Sequence, residues 1–298
     1  MFGARVRAPQ EVIELAGGDM RLRLAPCLGG AVLNLTWRGQ DLLRPTDPNA
    51  QHAMDAACFP LAPFANRIAK GRFSFGGRKV ALKANYRSIR HVIHGYAWLT
   101  PWRVEETSPE RARLTLSLAK GPWPWALACE QTISLSDAGA RLELLVRNIS
   151  DSAAPMSFGF HPAFVRPRGA RLQAKVAGAW RVDKDALPTR LDPNTDLPDL
   201  ATGTAVDAAP FIDQCHTGWD GRARLSLPGV DVDIAASPEF GFLPLYLPEG
   251  EDFLCIEPVS AMPDAFNRPQ VANNGLRVLA PGEAASGSML IAAAKAPA

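Results

Sequence analysis

The stretch Arg113-Leu114-Thr115-Leu116-Ser117-Leu118 alternates polar with apolar residues along its whole length. In an extended chain successive side chains point to opposite faces, so the three leucines share one side and the polar residues the other. The same pattern returns in Arg21-Leu22-Arg23-Leu24 and in Arg141-Leu142-Glu143-Leu144. Between such runs lie residues suited to tight turns: Gly29-Gly30, Arg38-Gly39, Gly76-Gly77, Asp137-Ala138-Gly139, Pro228-Gly229 and Pro281-Gly282. No amphipathic helical stretch of convincing length interrupts the series. Short strands separated by turns predict an all-β, antiparallel sandwich or barrel rather than alternating strands and helices.

Nothing within the chain reads as an interdomain linker. The Pro- and Asp-rich stretch from Leu187 to Pro198 reads as a long surface loop, because strand-like alternation resumes from Ala223 to Ile234. The tail from Ala293 is expected to fray. Residues 1–298 are therefore expected to form one domain.

Composition narrows the partners. Apolar residues at 47% and charged residues at 21% suit a soluble globular protein. The net charge is only +2, with 32 basic residues spread against 30 acidic ones, so nucleic acid and anionic membrane are poor first expectations. Arg5, Arg7, Glu11 and Glu14 interrupt the first eighteen residues, which therefore lack a secretory apolar run. No stretch reaches membrane-span length. Cys27, Cys58, Cys129, Cys215 and Cys255 are odd in number and lack metal-type pair spacing. They read as small buried apolar groups in a reducing cytoplasm.

Histidine is scarce, so His52, His91, His94, His161 and His216 can each be weighed. His161 sits in Ser157-Phe158-Gly159-Phe160-His161-Pro162-Ala163-Phe164, a polar ring among phenylalanines. Burying it there is costly unless its nitrogens find partners or it faces a cleft, and a structural and a functional reading stand side by side. His94 precedes Gly95, where the backbone can approach a ligand closely. His91 and His94 are three apart, but without a helix and a carboxylate at set spacing this is not a metal signature. His52 and His91 are expected in solvent.

Glu257 ends the apolar run Phe253-Leu254-Cys255-Ile256 and is followed by Pro258. Such a carboxylate points into a core or a pocket, where desolvation raises its pKa toward that of a useful base. The alternative is an edge-strand glutamate turned to water. Arg67, bracketed in Phe64-Ala65-Asn66-Arg67-Ile68, offers a fork of donors suited to oxygen-rich ligands.

Taken in order, Asn66-Arg67-Ile68 with Gly71-Arg72-Phe73, His94-Gly95, Phe160-His161-Pro162, Asp213 in Phe211-Ile212-Asp213, and Glu257-Pro258 resemble the aldose 1-epimerases, the galactose mutarotase family. The resemblance runs from about residue 12 to about residue 292. It implies a single super-sandwich of antiparallel strands with an open cleft on one sheet face. It also implies interconversion of the α and β anomers of a free hexose such as galactose or glucose, with no cofactor and no metal. Carried over by position, His161 would be the general acid, Glu257 the general base, and His94 an assistant at the ring oxygen. Arg67, Asp213 and Asn66 would hold substrate hydroxyls. The partner implied is a small-molecule sugar, and the chain would act as a monomer or homodimer. Pro162 after His161 and His216 after Asp213 depart from the family pattern and leave the sugar preference open.

The sequence contains neither a dinucleotide-binding glycine fingerprint nor a phosphate loop, in keeping with chemistry that moves only protons. Trp98, Trp102, Trp219 and Phe266 could stack on a sugar but read more readily as core. Three rivals remain. A glycosidase would need Glu257 paired with Asp213 or Asp264. A non-catalytic sugar-binding protein could use the same fold. A phosphosugar mutarotase would draw a phosphate clamp from Arg67, Arg72, Arg87 and Arg90, although Arg87 and Arg90 read first as surface charges.

Overall fold

A computed structural model describes residues 11–86 and 90–297. The stretch that decided the sequence reading is the strand Arg111–Leu118, with Leu114 and Leu116 buried and Ser117 exposed. It belongs to a nine-stranded sheet whose third and fourth strands are the long pair Leu127–Ser136 and Gly139–Asn148, joined across the turn at Asp137 and Ala138. The strand Ala284–Lys295 pairs with Gly139–Asn148 on one side and Val230–Ala236 on the other. The expected fraying from Ala293 is therefore corrected, because Ala293 and Ala294 pair in register with Val232 and Asp231.

A six-stranded sheet packs over the first in the order Ala163–Val165, Phe253–Ile256, Phe242–Leu247, Ile212–Thr217, Gly178–Val182, Pro188–Asp192. Part of the stretch read as a loop, Pro188–Asp192, is its outer strand. Pro188 sits at the start of an edge strand, where its missing N–H breaks no ladder. Named strand pairs throughout are antiparallel, including the sheet formed by Ile13–Gly17, Met20–Ala25, Ala31–Trp37 and Gln40–Asp41. Helical content among the described residues is four short 3₁₀ turns.

The space between the two large sheets is filled by one continuous apolar cluster. The nine-stranded sheet supplies Leu114, Ile133, Leu142, Leu144, Val232 and Met289, and the six-stranded sheet supplies Leu243, Leu245, Leu254 and Ile256. The period of two decides what remains. Because Leu254 and Ile256 face the core, Phe253, Cys255 and Glu257 face the other way, and all three line a cleft. The register carries the same face across the sheet, since Asp213 pairs with Tyr246, Tyr246 with Cys255, and Cys255 with Ala163. All four of these side chains also line the cleft.

Trp98, Trp102, Trp219 and Phe266 are buried, so the core reading of these aromatics holds. Four of the cysteines are buried and free, whereas Cys27 is exposed. It follows Pro26 in a turn after the strand Met20–Ala25, where the chain no longer has an inner face.

Candidate active site

The cleft has a volume of about 600 Å³ and is lined by all six residues singled out in the sequence: Asn66, Arg67, His94, His161, Asp213 and Glu257. The six-stranded sheet supplies Asp213, and residues flanking its strands supply His161 and Glu257. The short pair Arg67–Ile68 and Val92–Ile93 presents Asn66, Arg67 and His94 from the other side.

At the floor, His161 Nε2 lies 3.4 Å from Glu257 Oε1, with side chains 14% and 4% exposed. Ligand-type atoms of His94, His161 and Glu257 all fall within 4.8 Å of one another. The His161 ring stacks on Phe59 at 4.6 Å and meets the edge of His94 at 5.0 Å. These two ring contacts hold the plane of the His161 imidazole. Phe59 gave no signal in the sequence, because a buried phenylalanine before Pro60 looks like any other core residue.

Burial governs the charges. Desolvation raises Glu257 well above the ordinary carboxylate range, Asp213 adds to the rise, and Arg67 works against it. Desolvation lowers His161 to about 4, with Arg44 and Arg67 contributing. His94 is lowered well below the usual imidazole value by burial, by His161 and by Arg67. Burial therefore disfavours the charged form of both members of the His161–Glu257 pair. Glu257 Oε2 is buried without a hydrogen-bond partner, leaving it open to a ligand hydroxyl.

His94 is locked differently. The Asn66 N–H donates to its Nδ1 at 3.2 Å, while the His94 N–H donates to the Asn66 carbonyl at 2.9 Å. Both residues sit in the left-handed region, with φ 57° at Asn66 and 59° at His94. Since Nδ1 accepts, the neutral ring carries its proton on Nε2. His94 is thus a fixed donor, and that tautomer has no free nitrogen lone pair for a metal ion. His94, His161 and Glu257 come close enough to suggest an ion site, but the donor set does not fit one.

Gly95, the next residue, has φ +72°, and a Cβ there would overlap the Ala62 carbonyl. Gly95→Ala is expected to lose about 1–3 kcal/mol of stability through backbone strain. It should also displace His94, and urea denaturation beside an activity measurement would report both effects.

Arg67 and Asp213, 146 residues apart, form the cleft wall. Arg67 Nη2 donates to Asp213 Oδ2 at 2.9 Å and Nη1 to Oδ1 at 3.5 Å. Asn66 Oδ1 accepts from the Arg67 N–H at 2.8 Å, which holds the base of the arginine. Asp264 accepts from the Ala69 N–H at 2.9 Å and from Asn267 Nδ2 at 2.7 Å. It braces the turn after Arg67 and is absent from the cleft lining.

The expectation of a solvated His91 is corrected. The ring is buried, with Nδ1 accepting from the Lys70 N–H at 2.9 Å, because it packs beneath the turn that follows Arg67. His52 is exposed as expected, and His216 is fully buried with Nδ1 on the Leu243 carbonyl. Among the arginines considered for a phosphate clamp, Arg72 and Arg90 are exposed and outside the cleft lining, and Arg87 lies outside the described residues. Arg44 does line the cleft and was missed. Its place after Leu42-Leu43 and before Pro45 is the kind of bracketing that drew notice to Arg67. Its guanidinium donates to the Asp55 carbonyl at 3.0 Å and lies 4.1 Å over the Phe253 ring.

An antiparallel β-sandwich of mutarotase-like fold thus carries two imidazoles and a buried carboxyl at the floor of a polar cleft. The chain belongs to the aldose 1-epimerase family, whose sequence pattern it matches over residues 11–292. It is 28% identical over 296 residues to the uncharacterised protein YphB of Escherichia coli K12, covering 93% of this chain and 97% of that one. Its fold is similar to the crystal structure of a proposed aldose 1-epimerase from Escherichia coli K12, with a TM-score of 0.88, 26% identity and coverage of 97% and 100% of the two chains. It is also similar to a galactose mutarotase-like protein from Clostridium acetobutylicum, with a TM-score of 0.86 at 22% identity over 96% of each chain, a likeness of fold.

Proposed function

We propose that the protein interconverts the α and β anomers of a neutral aldose such as galactose or glucose by ring opening and reclosure, with His161 as general acid and Glu257 as general base. The observation that carries this reading is the 3.4 Å approach of His161 Nε2 to Glu257 Oε1 on the floor of the cleft. The two groups are near enough for one to reach the hydroxyl and the other the ring oxygen borne by a single acetal carbon placed beside them.

Ring opening breaks the bond from the anomeric carbon to the ring oxygen. With the pair's proton on His161 and Glu257 ionised, the proton of the anomeric hydroxyl passes to Glu257, His161 delivers its Nε2 proton to the ring oxygen, and the anomeric carbon becomes an aldehyde. This leaves Glu257 protonated and His161 neutral, the arrangement that burial favours. Desolvation thus favours the protonation state of the open-chain stage, while Arg67 offsets part of the shift and keeps the carboxylate accessible. After rotation about the neighbouring carbon–carbon bond, closure on the other face returns both protons. His94 Nε2–H donates toward the ring oxygen, and Arg67, Asp213 and Asn66 hold hydroxyls. The pair ends each cycle with the proton it began with, so no cofactor is consumed.

The rival readings fit less well. A phosphosugar would need free cations, yet Arg67 is bound to Asp213 and Arg44 to backbone carbonyls, and Asp55 and Glu251 add carboxylates to the lining. A glycosidase would need a second carboxylate across the substrate, and Asp213 is already held by Arg67. A passive sugar-binding protein has no need for an acid and a base in contact.

The test is polarimetry on freshly dissolved α-D-galactose, α-D-glucose and glucose 6-phosphate. Equilibration of a neutral hexose should be accelerated, with chelator present or absent, and the phosphate ester should be the poorer substrate. Acceleration of the phosphate ester alone would overturn the assignment of substrate, and no acceleration of any sugar would overturn the reaction.

A further inference from the structure

We propose that His91 is a positioning residue: together with His94 it clamps the backbone segment 66–70 at both ends and so holds the Arg67 guanidinium against Asp213. The inference rests on the reading of Arg67 as a holder of substrate hydroxyls and adds to it the device that aims the arginine.

The two histidines of His91-Val92-Ile93-His94 play matching roles toward the strand opposite. Arg67 and Ile68 pair antiparallel with Ile93 and Val92, which brings His94 beside Asn66 and His91 beside Lys70. At one end the Asn66 N–H donates to His94 Nδ1 at 3.2 Å, and at the other the Lys70 N–H donates to His91 Nδ1 at 2.9 Å. Both rings are buried. Arg67 lies between the two contacts. Its side chain lines the cleft whereas His91 does not, so His91 acts on the cleft through Arg67.

The far end of the segment is where holding is needed. Lys70 takes a left-handed conformation at φ 51°, and Gly71 follows at φ 63°. A residue other than glycine stays in that region only where its surroundings fix it. Two buried side chains do so by accepting consecutive backbone N–H groups, Asp264 Oδ1 from Ala69 at 2.9 Å and His91 Nδ1 from Lys70. The Arg67 carbonyl in turn accepts from the Asp264 N–H at 2.8 Å. Without the imidazole the Lys70 N–H loses this acceptor, and the turn that sets the exit of Arg67 relaxes. Nδ1 accepts only while it is unprotonated. Burial lowers the His91 pKa, Asp185 and Asp183 oppose the shift, and Arg67 and Arg90 add to it.

The experiment compares wild type with His91→Leu, which removes the acceptor, and His91→Asn, whose Oδ1 falls near the place of Nδ1 and restores it. Polarimetry on galactose and glucose gives kcat and KM, and crystal structures of the three proteins give the Arg67–Asp213 distance. His91→Leu should raise KM about 3- to 10-fold, the effect of one misplaced hydrogen-bonding group, and leave kcat within about twofold. His91→Asn should bring KM back to within about twofold of wild type. In His91→Leu, Arg67 Nη2 should have left Asp213 Oδ2, which it meets at 2.9 Å in the wild type, and His91→Asn should keep the contact. A His91→Leu protein that loses only stability, with KM and Arg67 unmoved, overturns the proposal, as does a KM in His91→Asn as high as in His91→Leu. Should His91→Leu fail to fold, His91→Gln, whose acceptor reaches the place of Nε2 rather than Nδ1, takes its part with the same outcomes. Should the wild type turn over no sugar, the mutarotation reading fails by itself and the crystal structures decide. Displacement of Arg67 in His91→Leu then upholds the clamp, and an unmoved Arg67 overturns it.

Discussion

Glu257→Gln is expected to abolish accelerated anomer exchange while leaving the fold at least as stable as before. The amide keeps the shape of the carboxyl but cannot take the anomeric proton, so the rate should fall by about 100- to 10,000-fold, the contribution of a positioned base. Stability should move the other way. The folded state raises the Glu257 pKa, so it holds a proton that the unfolded chain releases once pH exceeds the ordinary carboxylate value. The contribution of Glu257 to stability is complete below that value and is lost as pH rises toward the raised one. Glutamine does not titrate, so the melting temperature of the variant relative to wild type should increase from pH 5 to pH 8. A variant that is less stable at every pH would show that Glu257 is a structural residue rather than a buried base.

His161→Asn is expected to have an effect on rate of similar size, about 100- to 10,000-fold on kcat/KM, and the wild-type pH profile should explain it. Burial lowers His161 to about 4, so the ring gains a proton only near that pH. The acid limb of kcat/KM should therefore fall near pH 4 and not near the ordinary imidazole value of about 6.5. The alkaline limb should mark loss of the single proton shared by the pair. Stability follows the same sign, because a depressed histidine contributes above about pH 6.5 and loses that contribution as pH drops toward 4. An acid limb near 6.5 would mean that His161 is solvated in the working enzyme, contrary to its stacking on Phe59.

Part of the cleft was legible because three of its side chains broke a local rule. A histidine among phenylalanines, a glutamate closing an apolar strand and an arginine between apolar neighbours are each expensive to bury without purpose. His91 was misread for the opposite reason: its neighbours in sequence are unremarkable, and only the turn after Arg67 buries it. Arg44 carried a similar signal that was missed, whereas Tyr246 and Phe59 carried none, since they matter by facing the cleft or lying under His161. The outer strand Pro188–Asp192 was hidden by turn-rich composition, which an edge strand tolerates because it has one neighbour.

The sequence by itself determined the all-β class and the strand faces, because period-two alternation is a local property of the chain, and its family resemblance singled out six residues that line the cleft. Only the tertiary structure decided that Arg67 meets Asp213 across 146 residues, that Asn66 fixes the His94 tautomer, and that His161 approaches Glu257 to 3.4 Å. Those outcomes depend on strand register and on desolvation. Both arise only when two sheets close over a common core and segments distant in sequence exclude water together.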